Sequence, residues 1–312
     1  MRAIGQDTFG GPEVLKVVEA EKPVPGPAEV LVRVHAAGVN PTDAWHRSTG
    51  GLAGTGAPVR LGWDVSGVVE AVGLGVTLFR PGDEVFGMPR QPLPAGTYAE
   101  YVVSPARHLT LKPAGLPHTE AAALPLAGLT AWQALVDTAG VRPGQRVLVH
   151  AAAGGVGHLA VQIAKARGAY VIGTASAAKH AFVRGLGADE VVDYRTTDFA
   201  ETVRDVDVVV DAVGGAYGPR SLRTLRPGGL VVSLASPAEA ALAEEAERLG
   251  VRAQFMVVEA DGAGMRELAA LVASGTLKVR VDTVLPLEDA AKAHELAESG
   301  RTTGKLVLSV AE

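Results

Sequence analysis

The sequence predicts an α/β protein of two domains, a barrel-like β domain joined to a doubly wound parallel sheet. Three observations carry this. Short strand-like runs punctuated by Gly and Pro fill roughly the first hundred residues. Strand and helix patterns then alternate from Val147 onward. Between the first strand and helix of that alternation lies a turn of small residues, Ala151-Ala152-Ala153-Gly154-Gly155-Val156-Gly157.

A chain of 312 residues has room for two domains of ordinary size. It is 47% hydrophobic, 20% charged and only 4% aromatic, so its cores are aliphatic, as suits parallel strands covered on both faces. The net charge of -5 and the lack of any Lys/Arg run exclude a nucleic-acid surface. With no cysteine, disulfides and thiolate metal sites are excluded too. The segment Met1–Asp7 lacks the apolar stretch of a secretory signal, and no apolar run approaches the roughly 18 residues of a membrane span. A cytoplasmic location and no membrane partner are therefore expected.

In the first domain, Glu29–His35 reads as a strand after the Pro/Gly-rich stretch Pro23–Pro27. Val65–Val72, Asp83–Phe86 and Tyr98–Val103 are further strands, with Arg80-Pro81-Gly82-Asp83 as a turn. Helices are expected at Thr119–Leu126 and Thr130–Ala139. Val147–His150 is a strand, and Val156, Leu159, Ala160, Ile163 and Ala164 form one apolar helical stripe. Strands follow at Tyr170–Gly173, Glu190–Asp193, Asp207–Val210 and Leu230–Leu234. Such βα repeats imply a parallel, doubly wound sheet. The C-terminal stretch has no βα repeat: Met265–Ser274 and Leu287–Ser299 read as helices and Gly304–Val310 as a closing strand. It is expected to return to the first domain, giving residues 1–118 completed by 259–312, with 119–258 inserted as the nucleotide-binding domain.

A glycine-rich turn between a buried strand and a helix can hold a pyrophosphate, because backbone N–H groups and the helix dipole favour an anion there. Ala152, Gly154 and Gly157 fill the three spaced positions, and Ala153, Gly154, Gly155 and Val156 are the candidate contacts. A helix start that merely needs small residues would look the same in isolation. NAD-binding turns are followed about 20 residues on by an acid for the ribose 2′-hydroxyl. Here the strand ends in Thr174-Ala175-Ser176, with Lys179 just beyond. Hydroxyls and a cation suit a 2′-phosphate, so Thr174, Ser176 and Lys179 point to NADPH. Tyr194 could lie beneath the adenine or reach the phosphate, and Lys179 could equally be a solvated helix residue.

At this point the chain resembles the zinc-independent quinone oxidoreductase branch of the medium-chain dehydrogenase/reductase superfamily. The matching pieces run in the family's order: Ala37–Asp43, Gly62–Val69, Pro81–Phe86, Leu124–Trp132, Val149–Gly157, Gly187–Asp189, Arg226–Gly229 and Gly304-Lys305. The resemblance implies a GroES-like β-barrel catalytic domain plus a Rossmann domain, and a homodimer. It implies NADPH-dependent hydride transfer to a quinone or other conjugated carbonyl such as an enone. It places Asn40 near the nicotinamide and its ribose, Thr130 near the nicotinamide or the phosphates, and Val213 and Leu234 along the nicotinamide side. It brings Phe255 and Val257 to the carboxamide. Each also has a plainer reading: Asn40 before Pro41 suits a turn, Thr130 a helix cap, and Val213, Leu234 and Phe255 ordinary core.

Zinc-dependent relatives use a Cys in the segment equivalent to Asn40–Asp43 and a His-Glu pair after a Gly, where this chain has Gly62-Trp63-Asp64. No metal is expected. His46 reads as a surface or cleft residue, and His150 and His158 as structural. Some enoyl reductases of the superfamily carry a Tyr acid in the next loop; Thr49–Gly54 has none, and its small residues suggest a lid. Two other functions stay open: an enoyl-thioester reductase of the same fold, and a non-catalytic NADPH-binding regulatory protein.

Overall fold

The computed structural model describes residues 1–51, 60–91, 93–235 and 240–311. The proposed lid falls partly outside them. The chain forms two compact units: residues 1–129, 258–275 and 279–312 make one, and residues 130–257 with 276–278 make the other.

In the first unit the strand Glu29–Val39 organises a seven-stranded sheet. It pairs antiparallel with Val65–Val72, with Tyr101–Pro105 and, through its last residues, with Lys305–Ser309. Register shifts at Leu31/Val32 and Val34/Ala36 mark bulges, which bend a strand and let it serve several partners. The strand Val281–Pro286 runs parallel to Lys305–Ser309 at one end, and Glu84–Gly87 and Leu109–Leu111 complete the other. Arg2–Gly5 and Lys16–Glu19 form a separate hairpin. The C-terminal strands Val281–Pro286 and Lys305–Ser309 both belong to this unit's sheet. Sequence reasoning missed the strand Val281–Pro286, half of whose residues are exposed and only Leu285 buried.

Two expected helices have shifted. The first ends at Ala122, and the second begins at Pro125. Proline lacks the N–H that would continue a helix yet fits the first turn of a new one, so Pro125 sets the break. Helix Pro125–Trp132 then widens into a π turn over Gln133–Thr138, with the Ala139 N–H bonded to the Ala134 carbonyl.

The second unit carries six parallel strands. Across the sheet they run Glu190–Asp193, Tyr170–Ala175, Arg146–Val149, Val206–Asp211, Leu225–Ser233, Arg252–Phe255. Numbered along the chain this is the order 3-2-1-4-5-6 of the Rossmann fold, with its reversal between Arg146–Val149 and Val206–Asp211. Leu148, Ile172, Val209 and Val231 are buried against Phe199, Leu222 and Leu242. Each fully buried aliphatic side chain contributes about 1.5–3 kcal/mol. That core fixes the sheet, and so the position of everything at its carboxyl edge.

Candidate active site

The turn Ala151–Gly157 follows the strand Arg146–Val149 and opens the helix Gly157–Ala166 at the point where strand order reverses. Ala151 takes the left-handed conformation, with φ of 49°. Its carbonyl accepts the Gly154 N–H at 2.8 Å, closing the turn. A Cβ at Gly157 would lie 2.2 Å from the Ala151 oxygen, so only glycine lets this helix start so close to the strand. A Cβ at Gly154 would meet its nearest atom at 3.2 Å, a far milder approach. This geometry suits a pyrophosphate laid against backbone N–H groups.

Thr174 does not present its hydroxyl outward as expected. It is buried, and its Oγ1 accepts the Ala151 N–H at 3.2 Å and lies 3.1 Å from His150 Nδ1. The other His150 nitrogen, Nε2, is 2.9 Å from Ser221 Oγ, whose proton goes to the Tyr217 carbonyl. Nε2 therefore donates, and Nδ1 accepts from Thr174. Burial pushes His150 down to about 3, so it stays neutral. Thr174 and His150 thus fasten the turn from beneath. His158, also buried, donates through Nδ1 to the Gly154 carbonyl at 2.9 Å and braces it from the helix side.

The other outer-strand residues gather at the same edge. Asp193 pairs with Ala175 in the parallel register, so Ser176 and Tyr194 each sit one step past a neighbouring strand end. Ser176 leads into the short turn Ala177–Lys179, whose Lys179 N–H bonds the Ser176 carbonyl at 2.8 Å. Tyr194 is exposed, with the Arg195 guanidinium 5.8 Å from its ring centre. Sequence reasoning overlooked Asp193. Its carboxylate accepts the Ala177 N–H at 3.2 Å and the Arg195 N–H at 3.0 Å, tying the two strand ends together. An acid at a strand end was the available signal.

Val213, Leu234, Phe255 and Val257 follow or end the three remaining strands, again on the carboxyl side. Asp211 sets the first of these: its Oδ1 accepts the Val213 and Gly214 N–H groups at 2.9 and 3.0 Å, and Gly214 and Gly215 both have positive φ. Val213 is exposed, unlike ordinary core, while Leu234 and Phe255 are half-buried. Thr130 is no helix cap. It lies inside helix Pro125–Trp132, buried.

Asn40 sits in the first unit, at the cap of helix Pro41–Thr49. The Asp43 carboxylate accepts its N–H at 2.7 Å, the returning half of a capping box, and the Gly62 N–H at 3.0 Å. Burial is the main cause that pushes Asp43 up to about 7, with Asp64 adding repulsion. The Asn40 side chain is buried too. Its Nδ2 donates to Asp64 Oδ2 at 2.8 Å, and its Oδ1 accepts from Lys305 Nζ. The Lys305 ammonium lies 3.6 Å from Asp64 Oδ2, and burial lowers its affinity for the proton.

His46 was expected at the surface or in a cleft, and it does not lie at the surface. It is buried, donating through Nδ1 to the Thr42 carbonyl at 2.8 Å, with its ring 4.5 Å from that of Trp63. Gly51 packs directly on the imidazole, and a Cβ there would lie 2.1 Å from it.

Residues 26–114 match the alcohol dehydrogenase GroES-like domain family, and residues 186–308 match the zinc-binding dehydrogenase family. The second name implies zinc, and the residues present do not fit it. Trp63 only donates, to the Leu93 carbonyl at 2.9 Å, and Asn40 is held between Asp64 and a buried ammonium. Among the described residues no group of three or more His, Asp or Glu could hold a metal. The chain is 34% identical over 348 residues to the mitochondrial NAD(P)H oxidoreductase RTN4IP1 of Mus musculus, covering 97% of this chain and 88% of that one. The quinone oxidoreductase structure from Coxiella burnetii is similar with a TM-score of 0.95 at 38% identity, covering 100% and 99%. The Escherichia coli quinone oxidoreductase complexed with NADPH is similar with a TM-score of 0.90 at 33% identity, covering 99% and 100%.

Proposed function

This chain belongs to the quinone oxidoreductase branch of the medium-chain dehydrogenase/reductase superfamily, and from that premise we propose that it reduces a quinone or other conjugated carbonyl with NADPH and without a metal. The observation that carries the proposal is the carboxyl edge of the parallel sheet. There the Gly157 turn, the Ser176–Lys179 turn and Tyr194 lie together.

NADPH, when bound, supplies the hydride. The residues Ala153–Val156 would hold its pyrophosphate on backbone N–H groups. Ser176, Lys179 and Tyr194 would take the adenosine end with its 2′-phosphate. Val213, Leu234, Phe255 and Val257 would wall the nicotinamide side, with Thr130 and Asn40 as further contacts. A conjugated carbonyl is already an electrophile, so the reaction does not depend on a Lewis acid. The proton comes from solvent or from a positioned hydroxyl, and no Tyr occupies the Thr49–Gly54 segment to serve as a dedicated acid. A homodimer is part of the same reading, supported by the family resemblance and by Arg252–Phe255 standing at the end of its sheet. So is a cytoplasmic location; no helix among the described residues is long and apolar enough to cross a membrane.

The test follows NADPH absorbance with benzoquinone, phenanthrenequinone, a simple enone and crotonyl-CoA. Turnover of quinones or the enone supports the proposal. Exclusive use of crotonyl-CoA would make the protein an enoyl-thioester reductase. Tight NADPH binding with no turnover on any of them would make it a regulatory NADPH binder.

A further inference from the structure

We propose that Lys305 is a positioning residue for hydride transfer: together with Asp64 it locks the side-chain amide of Asn40 in one orientation. The inference rests on the reading of Asn40 as a nicotinamide-side residue.

The strand Lys305–Ser309 pairs antiparallel with Glu29–Val39, with Leu306 opposite Val39. That register delivers the Lys305 side chain to the end of the long strand. Its ammonium, buried, donates to the Val39 carbonyl at 2.8 Å and to Asn40 Oδ1. Asp64, fully buried, accepts from Asn40 Nδ2 at 2.8 Å on one oxygen and from the Leu126 N–H at 2.6 Å on the other.

An ammonium only donates and a carboxylate only accepts. The Asn40 amide therefore meets a donor at its oxygen and an acceptor at its nitrogen. Flipping the amide would set donor against donor and acceptor against acceptor. In the observed orientation Nδ2 keeps a second N–H. That N–H suits the carboxamide oxygen or a ribose hydroxyl of a nicotinamide nucleoside.

The packing around the clamp leaves it little freedom. A Cβ on Gly38 would lie 2.4 Å from Asp64 Oδ2 and 2.5 Å from the Ala122 carbonyl, so this glycine lets the carboxylate press against the strand. A buried ion pair adds little net stability over a well-packed apolar pair, because desolvation offsets the attraction. What the ion pair adds here, and an apolar pair could not, is direction at Asn40.

Lys305→Met alone would strand the Asp64 charge, so the main variant is K305M/D64N, which removes both charges. It is expected to fold and to bind NADPH with little change in Kd. Its kcat should fall about ten- to a hundredfold, the worth of one or two oriented hydrogen bonds to a charged group. Hydride transfer from NADPH deuterated on one face of C4 should lose facial selectivity, a change that a merely structural role would not cause. Asn40→Ala keeps the ion pair and should reproduce both losses, and adding K305M/D64N to it should cost nothing more. Wild-type kcat and selectivity in either variant, or additive losses in the triple variant, would overturn the proposal. Should the wild type bind NADPH yet reduce no electrophile, the reductase reading fails on its own. The emission of bound NADPH then tests the clamp: a shift in K305M/D64N supports it, and identical emission overturns it.

Discussion

At the scale of single residues, the glycines of the turn are unequal. Gly157→Ala drives a methyl into the Ala151 carbonyl, and either the helix or the turn must move. The expected cost is about 1–3 kcal/mol of stability, with NADPH affinity falling at least about tenfold, read by denaturant titration and by fluorescence binding. Gly154→Ala should be much milder in both. Lys179→Ala should erode the preference for NADPH over NADH by about tenfold, the scale of one charge-assisted contact; an unchanged ratio of kcat/KM values would count against the phosphate reading.

Asp43 makes a pH prediction. Its acidity in the folded chain is weakened to about 7 from an ordinary value of 3.8. Between those limits the unfolded chain has lost the proton while the folded chain still holds it. Stability from this residue therefore falls as pH rises from about 4 to about 7, and is level above. Thermal melts of the wild type minus those of Asp43→Asn should show that decline. A difference that rises with pH across this window would contradict it.

The turn, the strand ahead of it and the helix behind it were legible in the sequence because each is local: a short apolar run, a small-residue turn, an apolar stripe at helical spacing. The role of Lys305 was not. Gly304-Lys305 stood out only as a matching piece, and its partners Asn40 and Asp64 are supplied by sheet register rather than by neighbours in the chain. Thr174 misled for a related reason. A hydroxyl at a strand end looks available to a phosphate, and only the neighbouring strand reveals that the Ala151 N–H already claims it. Asp193 was passed over because it closes a strand one further along than the one searched for an acid.

Between elements, Asp64 joins the strand Val65–Val72 to helix Pro125–Trp132 by capping the Leu126 N–H, besides facing Lys305. Asp64→Ala should cost about 3–5 kcal/mol, because it removes a helix cap and leaves a buried ammonium unpaired. Urea unfolding measures this directly; a loss below about 1 kcal/mol would fit a surface ion pair and not this one.

Over the whole molecule, the buried His150 and His294 and the half-buried His118 govern acid stability. Burial holds His118 down to about 4 and His150 and His294 to about 3, against an ordinary 6.5. Below that ordinary value the unfolded chain takes protons that the folded chain refuses. Their contribution is therefore complete above about pH 6.5 and is lost as pH falls toward 3. His118 shares a hydrogen bond with Ser66 and stacks on His35, and His294 accepts from the Arg47 guanidinium at 2.9 Å. Acid unfolding should thus loosen both units over one pH range, since His150 lies in the other unit.

The two-unit architecture was legible for the same reason as the turn: a run of short strands gives way to βα repeats, and the C-terminal stretch breaks those repeats. The chemistry follows from what the sheet edge can hold and from what the Asn40 neighbourhood lacks. One measurement tests that account most directly: the rate of NADPH oxidation by phenanthrenequinone, before and after exhaustive treatment with a metal chelator. Quinone-dependent turnover should be unchanged by the chelator and slower with NADH. Turnover abolished by the chelator and restored by zinc would contradict it.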